Sequence, residues 1–421
     1  MNRRHFVKAM GAVGAAGVAG NIAAWPAGEA RAEGARRAPR SESQAAFREL
    51  LATLAEIDEG WLVAERGVRE ADIPLAHRAL GMVLSGALDL YLEADPERPH
   101  FTRLISPFRK WGDNPDGIYF FTSIRGDRRY RIRGRRGAEV YLSFTVHGGD
   151  AEGHWPKRVV ADMNLRDMTF GPDGSYEVVL DAQKPSGAPG NWMALAPDAG
   201  SVVARFYFLN ETPAAADPTM LPELSIEPEG SLVGAPSPPD DAMIAARYRR
   251  VANWLRSKYG GQLLRTPGRK MPSWNSTTPN QIGSPLDWSD SQGGGWGAVD
   301  IVYAAGPWQL EADEALVIEG RMPKCLFASV VLWNPFGQTA DYRYRTVSLN
   351  KVQMELAEDG GYRVVVANTD PGVPNWLDTA GRREGTVFWR FMLPEESPGR
   401  LDCRVVKTAS LAGAGTRRAK S

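Results

Sequence analysis

The sequence predicts a mainly β protein with helical additions, in which two β-sandwich domains of jelly-roll-like type arise in tandem from an internal duplication. Three observations predict it. First, a shift of 186 positions lays one stretch on another without a gap: Gly134 falls on Gly320, Arg135 on Arg321, Ser143 on Ser329, Asn164 on Asn350 and Met168 on Met354. The same shift places Asp173-Gly174 on Asp359-Gly360, Tyr176 on Tyr362, Val178-Val179 on Val364-Val365 and Pro185 on Pro371; a two-residue slip then aligns Asn191-Trp192 with Asn375-Trp376. Second, both copies consist of short β-branched and aromatic runs broken by Gly, Pro and Asp, the spacing of a sandwich. Third, a chain of 421 residues exceeds the size at which one core stops growing, so two domains are expected.

The chain opens with an address over residues 1–32. Asn2-Arg3-Arg4-His5-Phe6-Val7-Lys8 resembles the twin-arginine export motif, an Ala/Gly run follows from Ala9 to about Ala24, and Ala30-Arg31-Ala32 supplies a small-x-small cleavage pattern. The run is too short and too poor in large side chains to span a bilayer. The expected partner is therefore the twin-arginine export machinery, the expected location the periplasm or the exterior, and no stable membrane anchor is expected after cleavage.

Residues 33–115 form a helical region. Ser41 with Gln44 resembles a capping box, ahead of Phe47, Leu50, Leu51, Leu54, Ile57 and Trp61 at helical spacing. Asp72 as cap and Pro74 in the first turn signal a second helix with an apolar stripe from Ile73 to Tyr91. Residues 116–211 are the first sandwich, with strands at Ile118 to Ile124, Tyr130 to Arg133, Glu139 to Val146, Tyr176 to Leu180 and Val202 to Leu209. Residues 212–265 hold a Pro-rich linker and a helix capped by Asp240 and stopped by Gly260-Gly261. Residues 266–297 are a polar, Trp-containing loop, long enough to expect a function. The second sandwich occupies 298–410, with strands expected at Ala298 to Tyr303, Ala315 to Glu319, Leu326 to Trp333, Tyr344 to Leu349, Tyr362 to Val366 and Thr386 to Met392. A disordered tail takes 411–421.

Fifty basic residues balance fifty acidic ones. The absence of a net field disfavours a nucleic-acid partner or a polybasic membrane contact. Cys325 and Cys403 are the two cysteines; an oxidising compartment permits a disulfide, and two small buried thiols are the alternative.

The second copy carries a family resemblance. Val347-Ser348-Leu349-Asn350, the Asp359-Gly360 turn, the loop from Pro371 to Thr379 and the tail from Glu384 to Arg390 together resemble the domain of unknown function 1214 family. Asp113-Asn114-Pro115-Asp116 and Tyr130-Arg131-Ile132-Arg133-Gly134 in the first copy look like sequence found upstream in longer members. The resemblance covers most of the mature chain and is most specific from about Trp333 to Arg390. It implies tandem β-sandwiches with helical additions and implies no reaction.

Three constellations carry possible chemistry. His147, Asp150, Glu152 and His154 pack ligating side chains into a glycine-rich strand end. They are the metal candidates, against the alternative of a solvated polar loop. No motif indicates any other cofactor. Trp274, Trp288, Trp296 and Trp333 are candidate stacking surfaces for a small polar or glycan-like ligand; Trp376 and Trp389 read as core. At a shift of 184, Asp378 replaces Ala194, Arg382 replaces Asp198 and Glu384 replaces Gly200. Asp378, Glu384 and Arg382 are thus candidate acid–base chemistry of a hydrolase or lyase, against a solvated surface turn. No Gly-x-Ser-x-Gly elbow, phosphate-binding Gly-Lys loop or dinucleotide fingerprint appears. The expected function is an exported soluble protein binding a small polar or glycan-like ligand in the second copy or between the copies. The alternative is a structural or assembly jelly roll without chemistry.

Overall fold

The period-two runs of the first copy become β1 (Thr102–Arg103), β2 (Gly117–Ser123), β3 (Tyr130–Arg135), β4 (Tyr141–Gly148), β5 (Arg158–Asn164), β6 (Ser175–Asp181), β7 (Trp192–Ala194), β8 (Ala199–Tyr207) and β9 (Glu223–Pro228). Those of the second become β10 (Leu286–Asp287), β11 (Ile301–Gln309), β12 (Glu314–Arg321), β13 (Phe327–Trp333), β14 (Ser348–Asn350), β15 (Gly361–Ala367), β16 (Trp376–Asp378), β17 (Glu384–Met392) and β18 (Asp402–Lys407). The computed structural model describes residues 38–62, 68–186, 190–230, 235–259, 272–287 and 295–411. The export motif, its cleavage pattern, Trp288, the Gly260-Gly261 stop and all but the first residue of the tail lie outside the described residues.

The first sandwich pairs a sheet ordered β1-β2-β8-β4-β5 with one ordered β7-β6-β3-β9. The second pairs β10-β11-β17-β13-β14 with β16-β15-β12-β18. Adding nine to every strand number converts one into the other, so the duplicated sequence is a duplicated topology. Pairing is antiparallel except for β6 with β7 and β15 with β16.

Particular side chains explain why the repeated residues repeat. A Cβ at Gly134 would overlap Tyr176 Oη and the Glu223 carbonyl, and one at Gly320 would lie 2.6 Å from Tyr362 Oη. Each glycine thus makes room for its copy's tyrosine across the strand pair. Gly174 and Gly360 close their turns at φ +79° and +82°, where a side chain is strained. Asn191 Nδ2 donates to the Thr169 and Glu177 carbonyls at 2.8 and 3.0 Å. Asn375 repeats this with Glu355 and Arg363 at 2.8 and 3.1 Å.

The sandwiches have separate interiors. Leu142, Phe144, Val146, Val202 and Phe206 meet Tyr130, Ile132, Val178 and Leu180 inside the first, and their counterparts around Trp389 and Val364 fill the second. The alternate residues of the five-stranded sheets do not face water. Tyr141, Val203 and Tyr207 of one sheet and Tyr303, Phe327 and Phe388 of the other join a third core with the helices. That is why β4 and β13 are buried on both faces although antiparallel strands usually leave one face wet.

Helix α1 (Glu42–Glu56) is capped by Ser41, whose Oγ accepts from the Gln44 amide at 3.1 Å. Its predicted stripe is partly wrong: Phe47 and Leu51 are exposed, and Phe47 meets only the edge of Tyr248 on α3 (Asp241–Ser257). Helix α2 (Ile73–Tyr91) starts at Asp72 with Pro74 in place, but the Asp72 carboxylate makes no cap bond. It is held instead by Arg69 and Arg382. Asp240 caps α3 as expected, accepting from the Met243 amide at 2.8 Å.

Three expectations need correction. The Pro-rich linker contains β9, which pairs with β3; its alternating Leu224 and Ile226 were outweighed by the surrounding prolines. Its counterpart β18 alternates weakly and is mostly exposed, so no buried face marks it in the sequence. Within the polar loop, residues 272–287 include the buried Trp274 and strand β10. The cysteines follow the second of their two expected alternatives: Cys325 and Cys403 are free thiols, half-buried against the second core, and burial raises both above the usual thiol range.

Candidate functional site

The facing sheets carry the same row of side chains. Across β2, β8, β4 and β5 the register aligns Tyr119, Arg205, Ser143 and Asn164. Across β11, β17, β13 and β14 it aligns Tyr303, Arg390, Ser329 and Asn350. Each row points away from its own sandwich interior, since neighbours such as Ala204 and Trp389 point into it.

The ends of the rows are exchanged between the copies. Asn350 Nδ2 donates to Asp116 Oδ1 at 2.9 Å, and Asn164 lies near enough to the Asp300 carboxyl to favour its charged form. Asp116 and Asp300 occupy matching positions just before β2 and β11. One difference breaks the symmetry. Tyr141 Oη donates to Asp300 Oδ1 and Oδ2 at 2.7 and 2.9 Å, whereas the matching residue on β13 is Phe327, which has no hydroxyl. Asp116 Oδ2 is accordingly buried without a partner among the described residues, and burial pushes its carboxyl up to about 7. Nearby, Asp113 accepts from Thr339, Lys110 donates to Thr339 and the Ala340 carbonyl, and Trp333 Nε1 donates to the Asp113 carbonyl at 2.8 Å. The Asp113-Asn114-Pro115-Asp116 motif is therefore the segment by which the first copy docks on the second.

Between the rows lies a cavity of about 180 Å³. Its wall includes Tyr119, Arg205 and Tyr207 from the first sandwich, Tyr303, Phe388 and Arg390 from the second, with Trp111, Trp155, Lys258 and Trp296 around them. Among the described residues three cations and no carboxylate line it. Arg205 is engaged: Nη1 donates to Thr145 Oγ1 at 2.6 Å and Nη2 to the Trp296 and Gly297 carbonyls at 2.9 and 3.1 Å. Its charge is met by Asp162 and Asp300, whose carboxyls burial pushes upward. Arg390 is engaged far less. It lies over Phe388 and Trp333 at 4.5 and 5.3 Å, donates weakly to the Gly112 carbonyl at 3.4 Å, and its buried Nη1 has no partner among the described residues. Trp155 and Trp296 stack at 5.3 Å with 31° between their planes, and Trp296 Nε1 is likewise unpartnered.

The residues predicted from sequence separate into different places. Trp296 lines this cavity. Trp274 is core, packed at 5.8 Å on Tyr303 and on Phe388. Trp333 stacks on Phe388 at 4.4 Å and turns its other side to a second cleft of about 130 Å³, shared with Trp308, Asp378, Arg382 and Arg78. Asp378 and Arg382 thus do face a concave surface, with Trp333 and Trp308. The Asp378 carboxylate accepts from Arg345 Nη1 and the Ala380 amide, both at 2.7 Å, and Arg382 Nη1 donates to Asp72 at 3.1 Å. Glu384 does not line the cleft; it opens β17, 4.0 Å from Arg69. The expected carboxylate pair is therefore not brought together. Its comparison with Gly200 was also out of register, because β8 and β17 match Glu384 with Ala199 and Gly385 with Gly200.

The metal candidates disperse as well. His147 is wholly buried, and burial holds its imidazole well below the ordinary value. Neither ring nitrogen makes a well-formed hydrogen bond, although the Gly297 backbone acts on it. Asp150, also buried, accepts from Ser201 Oγ at 2.5 Å and is pushed up to about 6 by burial. Glu152 and His154 face solvent. Among the described residues no three His, Cys, Asp or Glu side chains group as metal ligands. The predicted solvated loop is thus half-buried, beneath α3, where Asn253 Nδ2 donates to the Glu152 carbonyl.

Sequence reading missed Arg205, Arg390, Tyr119 and Tyr303. The signal was present: Gly200-Ser201-Val202 to Arg205-Phe206 repeats as Gly385-Thr386-Val387 to Arg390-Phe391, at a shift of 185 that neither 186 nor 184 reveals.

The family described as Protein of unknown function (DUF1214) matches residues 122–210. That is the first sandwich, whereas the resemblance read from motifs was strongest in the second. The crystal structure of an uncharacterized protein from Burkholderia cenocepacia is similar, at 30% identity over 87% of this chain and 97% of that one, with a TM-score of 0.71. The VPA0106 protein from Vibrio parahaemolyticus is more distant, at 14% identity over 70% and 90% of the two chains and a TM-score of 0.45. No curated protein matches the chain. The family match, and a relative similar over nearly its whole length, show that this chain belongs to the DUF1214 family.

Proposed function

We propose that this chain is an exported binding protein whose ligand, a small polar molecule with a flat face, occupies the cavity between the two sandwiches. The observation that carries the reading is the unpartnered Arg390 guanidinium nitrogen, buried in a ring of aromatic side chains supplied by both copies. A buried donor left unpaired costs free energy that a ligand acceptor restores. An engineered cavity of roughly 150 Å³ holds benzene, so the space here suits one ring, whether a sugar or an aromatic. Among the described residues no carboxylate lines the cavity wall to serve as acid or base, and binding is the function proposed.

A thermal-shift screen with monosaccharides and aromatic acids tests this. A ligand at one hundred times its Kd stabilises the fold by about 2.7 kcal/mol, so the midpoint should rise visibly. If nothing in such a set moves the midpoint and the protein runs as a large oligomer, the structural or assembly reading takes its place. Export is proposed from the Arg3-Arg4 motif. Replacing both by Lys should leave precursor in the cytoplasm, and unaltered processing would remove the export claim. Among the described residues no helix is long and apolar enough to cross a membrane.

A further inference from the structure

We infer that the inter-sandwich cavity selects a flat monocarboxylate, an aromatic acid whose carboxylate pairs with Arg390 while its ring lies against the Trp155–Trp296 stack. The inference rests on the cavity being the binding site and adds the charge, number and placement of the ligand's anionic group.

The charge follows from Arg390, a buried guanidinium with one nitrogen unpartnered among the described residues and no carboxylate among the described residues of the cavity wall. The number follows from the inequality of the two matching arginines. Arg205 spends its terminal nitrogens on Thr145, Trp296 and Gly297 and lies in the field of Asp162 and Asp300, so neither terminal nitrogen is without a partner. Arg390 is 5% exposed, and its Nη1 is unpartnered among the described residues. Asp116 lies within its field but makes no hydrogen bond to it among the described residues; the carboxylate's Oδ1 is taken by Asn350. One unsatisfied guanidinium between two aromatic faces matches one planar carboxylate, since Arg forks pair with carboxylates edge to edge. A phosphate dianion would call for more donors than this wall leaves open. The ring's place follows from the tilted Trp155–Trp296 pair, with Trp296 Nε1 available to a second acceptor on the ligand.

The test is calorimetric titration of the full chain with benzoate and with benzamide, its neutral isostere, on the wild type, Arg390→Gln and Trp296→Ala. Benzoate should bind the wild type at least about ten-fold more tightly than benzamide, as a charge-assisted hydrogen bond requires. Arg390→Gln should abolish that preference while benzamide binding stays, and Trp296→Ala should weaken both. Equal binding of the two probes, or a preference that survives Arg390→Gln, would overturn the carboxylate assignment and leave the cavity as the site. Binding of neither at millimolar concentration, or binding of both unaffected by Trp296→Ala, would overturn the cavity reading itself. Should Arg390→Gln fail to fold, the contrast between the two probes on the unmodified chain still decides.

Discussion

The two sandwiches present the same Tyr-Arg-Ser-Asn row on their facing sheets, yet the arginines at the centre of the two rows are held differently. Arg205 is tied to a hydroxyl and two carbonyls and faces two acids; Arg390 is clamped between rings with a nitrogen unpaired. Asp300 accepts from Tyr141 at both oxygens; Asp116 has Asn350 on one oxygen and no partner among the described residues on the other. Unsatisfied buried groups are costly, so an unpaired Arg390 nitrogen beside a cavity, where the matching Arg205 has both terminal nitrogens engaged, is informative.

The largest effect that would sharpen this contrast is expected at the exchanged asparagines. Asn350→Ala removes the partner of Asp116 Oδ1 and the bond to the Asn210 carbonyl, leaving a buried carboxyl with no side-chain donor from Asn350 or Tyr. A loss of roughly 3 kcal/mol by urea unfolding is expected. Asn164→Ala should cost about half as much, because Tyr141 still holds Asp300. Equal losses would mean that the asymmetry has no energetic content.

Next come the glycines beneath the tyrosines. Gly134→Ala drives a Cβ into a backbone carbonyl as well as Tyr176, whereas Gly320→Ala meets the Tyr362 hydroxyl and the Leu401 side chain. Backbone yields less than side chains, so Gly134→Ala should lose about 1–3 kcal/mol and Gly320→Ala less. Tyr362→Phe should recover part of the Gly320→Ala loss.

A smaller effect separates Tyr141 from Phe327. Phe327→Tyr would offer Asp116 Oδ2 the hydroxyl that Asp300 already enjoys, a gain of about 1 kcal/mol. The sign of its pH dependence follows from the raised Asp116 carboxyl, at about 7. The neutral acid is favoured in the fold, so its contribution is complete below the unfolded value of about 3.9 and is lost as pH rises through 7. A donor that lowers the folded value should therefore stabilise more at pH 8 than at pH 5. A gain confined to pH 5 would show that the new hydroxyl does not reach the carboxylate.

The duplication was legible because it preserved residues with backbone duties: Gly134 and Gly320 beneath tyrosines, Asn191 and Asn375 bridging carbonyls, Gly174 and Gly360 at positive φ. Such residues leave identical letters at one shift. The cavity was not legible, because its arginines and tyrosines lie beyond small insertions that change the shift to 185 and 184. An outward-facing Arg in a strand also looks solvated until the partner sheet covering it is known. Trp296 was found by its setting in a polar loop, and Trp274 in the same loop proved to be core. Asp378, at the end of β16, and Arg382, in the following turn, line the second cleft, whereas Glu384 begins β17 beyond it.

The most direct measurement is a crystal structure with 4-bromobenzoate, the bromine located by its anomalous signal. The account predicts one peak between the two five-stranded sheets, near Trp155 and Trp296, with the carboxylate against Arg390 Nη1. A bromine in the cleft of Asp378 and Arg382, or a carboxylate turned to Arg205 with Arg390 left unpaired, would contradict it.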